Sequence, residues 1–448
     1  MIGAEGAGVG DSQMLDVIQR DAFSYFAHET NLANGLVADT NSGHAPSSIA
    51  AVGLALTAYP VAVARGLMSR PEAAQRVLAT LRFFWGSKQG PEPDATGYRG
   101  FYYHFLDMHT GARVWECELS TVDTALLVAG MLTAAAYFDQ DRPAEREVRE
   151  LADLLYARVD WAWAQNGGAT VTHGWKPGTG FLPYRWRGYD EAMLLYVLGL
   201  GSPTHPLSAD SYRAWCATYT WRTVCGTSFL YAGPLFTHQL SHVWIDFRGI
   251  RDAFMRGHDC DYFENSRRAT LAQQQFAIRN PRGYVGYGEW CWGLTASGGP
   301  GDVTRDVGGV RRQFFGYEAR GVPDGPDDGT LAPWAVVASL PFAPEIVLPT
   351  IAHLWQLQLG GTHRYGCKTT FNPTFPDPGG SPHGWIAPWH CGLNQGPMIA
   401  MIENHRSGLL WELLRGCRYV VAGLRAAGFS GGWLDVSPSP SPPDVESG

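Results

Sequence analysis

Two carboxylates stand side by side in Gly180-Phe-Leu-Pro-Tyr-Arg-Trp-Arg-Gly-Tyr-Asp-Glu-Ala-Met-Leu-Leu-Tyr-Val-Leu, where an aromatic, glycine-bearing run gives way to an apolar helical one. Asp190 and Glu191 thus fall at a helix start. The positive end of a helix lowers a carboxylate pKa through an interaction of about 1 kcal/mol, whereas burial against neighbours such as Trp186 and Tyr189 raises it by up to several units. If burial wins, Glu191 stays protonated near neutrality and can donate a proton. A second acidic group occurs in Val114-Trp-Glu-Cys-Glu-Leu-Ser-Thr-Val-Asp-Thr-Ala, where Ser120 or Thr121 can cap a helix, Glu118 precedes it and Asp123 lies in its first turn. A proton donor and a second carboxylate are what cleavage of a glycosidic bond requires. Taken singly, each acid reads more simply as an ordinary helix-start residue; the pair carries the chemistry.

Three further segments have the composition of a binding site. Phe236-Thr-His-Gln-Leu-Ser-His-Val-Trp-Ile-Asp-Phe-Arg-Gly brings His238, Gln239, His242 and Asp246 within helical reach of one another. The i, i+4 histidines could hold a metal, but the Glu of a zinc-protease helix does not lie between them, so hydrogen bonding to sugar hydroxyls or a structural network is the better reading. Tyr287-Gly-Glu-Trp-Cys-Trp-Gly sets Glu289 beside Trp290 and Trp292, and Trp389-His-Cys-Gly-Leu-Asn-Gln-Gly-Pro puts Trp389 and Asn394 at the mouth of another apolar helix. For both, a packed aromatic loop without a ligand is as good a reading. No metal and no cofactor is expected: no GxSxG elbow, P-loop or dinucleotide fingerprint is present, and no ligand set has metal spacing.

These residues must be held by helices, because amphipathic or apolar helical periods recur along the whole chain and strand-like alternation is scarce. The periods predict helices over about Met14–Glu29, Ser47–Gly66, Arg70–Trp85, Leu119–Phe138, Pro143–Trp163, Tyr189–Leu200, Pro206–Tyr219, Phe236–Arg256, Tyr262–Ile278, Leu331–Ser339, Pro344–Leu359 and Gly396–Ala427. Between them run long connections, 86–117, 165–188, 280–329 and 360–395, too rich in Trp, Tyr and Phe to be disordered. Paired helices with aromatic loops gathered at one rim suggest an all-α (α/α)6 barrel, an irregular bundle being the alternative. No composition shift marks a linker, so one domain over 11–435 is expected, with a flexible 1–10 and a disordered Pro/Ser tail over 436–448.

The 448 residues carry a net charge of −8, with Lys and Arg scattered, which speaks against nucleic acid, anionic membranes and acidic polymers. Seventeen Trp, 19 Tyr and 20 Phe, many in loops, instead suit the flat C–H faces of a neutral saccharide. Met1–Gly10 has neither a basic nor an apolar run and no later stretch matches a membrane span, so a cytoplasmic location is expected. The eight cysteines are widely spaced, which favours buried thiols over disulfides or zinc.

Ordered motifs over most of the chain resemble the bacterial glycoamylase-like family, which includes endo-β-1,2-glucanases of glycoside hydrolase family 144 and is related to the transglycosylase domain of cyclic β-1,2-glucan synthases. They are Ser48-Ile-Ala-Ala-Val-Gly, Gly100-Phe-Tyr-Tyr-His-Phe-Leu-Asp, Glu118-Leu-Ser-Thr-Val-Asp-Thr-Ala, Gly188-Tyr-Asp-Glu-Ala-Met, Gly201-Ser-Pro-Thr-His-Pro, Ile245-Asp-Phe-Arg-Gly, Trp292-Gly-Leu-Thr-Ala-Ser, Asp327-Asp-Gly-Thr and Gln395-Gly-Pro. The resemblance implies an (α/α)6 barrel, hydrolysis or transglycosylation of β-1,2-linked glucan, Glu191 as general acid, and Arg248 and Asp327 among the sugar-binding residues. Glu118 and Asp123 match the family's other acidic segment. Two positions depart from the pattern: Asn394 and Gly298 stand where many members have Asp. An amide has no basic lone pair near neutrality, so the partner carboxylate is expected to be Glu118 or Asp123, with retention slightly favoured. Alternatives are a helical-barrel polysaccharide lyase, in which Asn394 neutralises a uronate, and a sugar-binding homologue that has lost catalysis.

Overall fold

The computed structural model describes residues 10–377 and 379–435; the expected unstructured stretches, residues 1–9 and 436–448, lie outside the described residues. Its α-helices, in chain order, are α1 (Asp11–His28), α2 (Ile49–Ala64), α3 (Arg70–Gly86), α4 (Thr121–Tyr137), α5 (Pro143–Ala157), α6 (Met193–Leu200), α7 (Ala209–Cys216), α8 (Ala253–Gly257), α9 (Tyr262–Arg279), α10 (Pro333–Ala338), α11 (Pro344–Gln356), α12 (Gly392–Arg406), α13 (Leu409–Arg415) and α14 (Arg418–Ala426).

A helix that is apolar all round must be enclosed by protein. Every residue of α6 and α10 is buried, as is every residue of Ile49–Ala62 in α2. These helices form an inner ring with α4 and α12, in the order α2, α4, α6, then α10, α12 and back to α2. The place between α6 and α10 is filled by two short 3-10 turns, Leu235–His238 and Leu240–Val243. Helices α1, α3, α5, α7, α9 and α11 alternate with the inner elements along the chain and form the outer layer, most plainly α5, whose buried residues (Glu145, Val148, Leu151, Ala152, Leu155, Tyr156) repeat every three or four. The fold is an (α/α)6 barrel.

Close approach of α2 and α4 depends on glycine at one crossing. A Cβ on Gly53 would lie 2.3 Å from the backbone oxygen of Leu126, and one on Gly130 2.0 Å from the oxygen of Gly53. Neither clash can be relieved by a side-chain rotation, because the obstructing atoms are backbone.

Two predicted helices are corrected. Phe236–Arg256 is not one helix, because its carbonyls are claimed by side chains from other elements: Asn404 Nδ2 donates to Val243 O at 3.0 Å, Trp411 Nε1 to His242 O at 2.7 Å and Ser266 Oγ to His238 O at 2.8 Å. Helix-ladder bonds are replaced by tertiary ones. Gly396–Ala427 is broken into α12, α13 and α14, first at Gly408, whose φ of +73° suits glycine. Many short strands, unannounced by any alternation, stitch the loops at the rim, the largest group being a sheet in the order 97–98, 101–103, 119–120, 174–176, 180–181. All eight cysteines are free thiols, three of them fully buried. Among the described residues no helix is long and apolar enough to cross a membrane.

Candidate active site

The N-terminal ends of inner helices α2, α4, α6 and α12 meet the strand-stitched loops at one rim. Ser120 caps α4: its Oγ accepts from the Asp123 amide at 3.2 Å and donates to Asp123 Oδ2 at 2.5 Å. The N-cap bond and the hydroxyl bond together orient the Asp123 carboxylate. Ser48 caps α2, and strand Ser47–Ser48 pairs with Phe105–Leu106, so His104 is held between the starts of α2 and α4. Its amide donates to Glu118 O at 3.0 Å and its carbonyl accepts from the Ile49 amide at 3.2 Å.

The His104 ring joins the two acids of the second cluster. Its Nδ1 lies 2.9 Å from Glu118 Oε1 and its Nε2 3.6 Å from Asp123 Oδ2. Burial opposes a charge on this imidazole, but Asp123, Glu118 and Asp39 together raise its pKa to about 9. For Glu118, burial pushes upwards and is outweighed by the His104 hydrogen bond and charge, so its pKa is lowered. Asp39 approaches from the loop before α2 and is raised, first by burial, with His104 and Asp123 acting in opposite directions.

The first predicted pair lies just ahead of α6, which starts at Met193, so Asp190 and Glu191 occupy a turn and not the first helical turn. They are used differently. Asp190 Oδ1 accepts from the Ala192 amide and from Trp215 Nε1, both at 3.0 Å, and burial raises its pKa to about 7. Glu191 has no hydrogen-bond partner for its carboxyl among the described residues, and the residue is half-buried. Burial, then the charges of Asp123 and Asp190, raise it from 4.5 to about 8 against the smaller pull of His104. A helix terminus worth about 1 kcal/mol, less than one pKa unit, could not cancel that.

Near these acids stands Tyr317, 77% exposed. Burial of its hydroxyl, and then Glu191, Cys391, Asp123 and Asp39, push its pKa up to about 12, so the phenol faces the acidic cluster although much of the ring is open. The segment that carries it is pinned by a fully buried ion pair. Arg320 Nε and Nη2 bind Asp328 at 2.7 and 2.8 Å, Arg320 Nη1 donates to Ser297 O at 2.6 Å, and Asp328 Oδ2 accepts from the Phe315 amide at 3.0 Å.

The remaining predicted residues divide. Trp186 is buried, donating Nε1 to Thr121 Oγ1 at 3.0 Å and stacking on His173 at 3.8 Å. Tyr189 packs against Tyr219, His238 and Tyr262. Trp292, placed by the sequence in a candidate binding segment, is instead a fully buried core residue whose Nε1 donates to Thr350 Oγ1 at 3.0 Å. His238 and His242 are buried and depressed to about 4 and about 3 by desolvation, so both are neutral; they bond Ala232 O and Ser266 Oγ. Gln239 ties the 3-10 turns to α10 through Ala335 O at 2.6 Å and Ser339 Oγ at 2.7 Å. Asp246 is clamped by Arg248 and Arg415, and Arg248 lies over Trp411 at 4.4 Å. The polar side chains of this segment are thus bonded to other parts of the protein. Glu289 is exposed, its carbonyl accepting from Gln274; Asp327 is buried, with Tyr287 OH on its Oδ1 at 2.7 Å. Trp389 is 47% exposed and Asn394 half-buried in the first turn of α12. Among the described residues no three His, Cys, Asp or Glu side chains converge as metal ligands.

Asp39, His104 and Tyr317 escaped the sequence reading as site residues. His104 lies inside one of the quoted motifs, so a signal existed; Asp39 and Tyr317 stand in loops with none.

Residues 183–418 match the Glycoamylase family model, described as "Putative glucoamylase". The exo β-1,2-glucooligosaccharide sophorohydrolase (non-reducing end) of Parabacteroides distasonis is 28% identical over 440 residues, covering 90% of this chain. The chain spans 56% of that curated relative's length. A solved structure from Bacteroides uniformis, named a "putative glucoamylase", is 30% identical with a TM-score of 0.83, covering 95% of this chain and 99% of its own. The endo-β-1,2-glucanase of Chitinophaga pinensis, solved with sophorotriose and glucose, shares the fold at 24% identity and a TM-score of 0.83, over 95% of this chain and 100% of its own.

Proposed function

Since the chain belongs to the Glycoamylase family, we propose that it is a glycoside hydrolase acting on β-1,2-linked glucan or its oligosaccharides. The observation that carries this reading is Glu191: a carboxyl beside the acidic start of α4, free of protein hydrogen bonds among the described residues and held near pKa 8 by burial and by Asp123. It is protonated at neutral pH and able to give its proton to a departing glycosidic oxygen.

Asp123 is its partner in this proposal. It contributes the largest charge effect felt by Glu191, and Ser120 and His104 orient its carboxylate. Glu118 serves as the positioning residue that holds His104. The substrate assignment rests on the sophorohydrolase relative and on the exposed rings of Tyr317 and Trp389 at the rim. Transfer of the glycosyl group to a second sugar in place of water is the same chemistry with a different acceptor and belongs to this proposal. The domain over 11–435 is proposed to be the whole catalytic unit.

Incubation with linear β-1,2-glucan should release new reducing ends, and Glu191→Gln should lower that rate by roughly 10²–10⁴-fold, the range for loss of a general acid, with no loss of melting temperature. Full activity of Glu191→Gln on that substrate would refute the assignment. Ultraviolet absorbance of an unsaturated product would mean lyase chemistry, and binding without products a silent homologue.

A further inference from the structure

Beside the acidic cluster, and unused in the proposed reaction, lies a pocket of 650 Å³. The loop before strand Ser47–Ser48 and the loop after strand Phe105–Leu106 wall it, with Thr40 and His44 on one side and Asp107, His109 and Trp115 on the other. A volume of several hundred Å³ with one aromatic wall and several polar groups is the form of a small-ligand site.

Trp115 is 68% exposed, more than any other tryptophan among the described residues. It is also strained: Trp115 and Glu116 have φ of +56° and +47°, a region costly for side chains with a Cβ. Neighbouring bonds hold the turn there: the Val114 amide donates to Phe105 O at 3.2 Å, and Arg113 Nε to Cys117 O at 2.6 Å. The 107–109 part of the same wall is tied as well, since Asn31 and Asn34 both donate to Met108 O, at 2.8 and 3.0 Å. The pocket is therefore preorganised.

A row of rings connects it with the carboxylates. Trp115 contacts Phe105 at 5.1 Å between centroids, and Phe105 stacks on His104 at 4.0 Å and 13°. His104 in turn reaches Asp123 and Glu118. Two ring contacts are a span that one or two sugar units bridge.

We propose that Trp115 and its pocket form a distal saccharide subsite that receives the end of a glucan chain extending past the scissile linkage. One pyranose face lies on the indole, while Thr40, His44, Asp107 and His109 offer donors and acceptors to its hydroxyls. The identity of the saccharide as a glucan rests on the proposed function; the existence of the subsite rests on the pocket.

The test is titration of linear β-1,2-gluco-oligosaccharides of increasing length against the full chain carrying Glu191→Gln, so that nothing is cleaved, followed by tryptophan fluorescence and calorimetry. Affinity should rise with length, and adding Trp115→Ala should lower the ratio of long-chain to short-chain affinity by roughly tenfold, the scale of one aromatic stacking contact. Trp115→Phe should restore most of it. The same length dependence with and without Trp115, or no binding at any length, would overturn the subsite. Failure of the unmodified chain to cleave β-1,2-glucan would instead strike the proposed reaction, and the binding ratio would still decide on Trp115. Melting curves of each variant separate lost folding from lost contact.

Discussion

The imidazole of His104 stands between two carboxylates, 2.9 Å from Glu118 Oε1 and 3.6 Å from Asp123 Oδ2, as a cation bridging the acids at the start of α4. Its pKa in the fold, about 9, exceeds the ordinary 6.5. Folding thus favours the protonated ring, and its contribution to stability is complete below 6.5 and fades as pH rises through 9. Thermal melts of the unmodified chain and His104→Ala should differ most near about pH 6 and converge above the folded pKa. A difference that grows with pH would contradict this assignment.

Glu191 sets the alkaline limit of the proposed reaction. As a proton donor it must be protonated, so log kcat/KM should fall with unit slope above about 8. A pH profile on β-1,2-glucan checks this. An alkaline limb displaced to the 4.5 of an unburied glutamate would remove Glu191 from the acid role.

Arg320 and Asp328 bear on both stability and the candidate site. Removing one partner of a fully buried pair leaves an uncompensated charge, a loss of roughly 3–5 kcal/mol. Arg320→Met should show that loss in urea unfolding, and because Arg320 also binds the carbonyls of Phe315 and Gly316, at 3.1 and 3.2 Å, it should loosen Tyr317 and raise KM. Pairing it with Asp328→Leu should recover much of the stability while leaving KM high.

Asn394 tests the choice of partner carboxylate. If Asp123 serves, Asn394→Asp adds a charge to the rim without adding a missing function, and activity should stay within about tenfold of the unmodified chain. A rise of several hundredfold would identify position 394 as the base position and the natural asparagine as its disabling change.

The inner helices were legible from the chain because nothing but enclosure accommodates helices like Ile49–Ala62 and Met193–Leu200, apolar on every side. Glu191 was legible too, as a carboxylate at the junction of an aromatic loop and such a helix. Its protonation was not: the contest between helix field and burial is settled by how much protein surrounds the group, and that depends on segments far away in sequence. The same holds for the failed helix over Phe236–Arg256. Its local propensity is real, but Asn404, Trp411 and Ser266 supply donors that no local pattern announces. The meeting of Asp39, His104 and Tyr317 beside Asp123 and Glu191 likewise arises only when loops from five parts of the chain close over one rim. Periodicity reports which face of an element is buried; which distant charges and hydrogen-bond partners share that burial is decided by the tertiary fold.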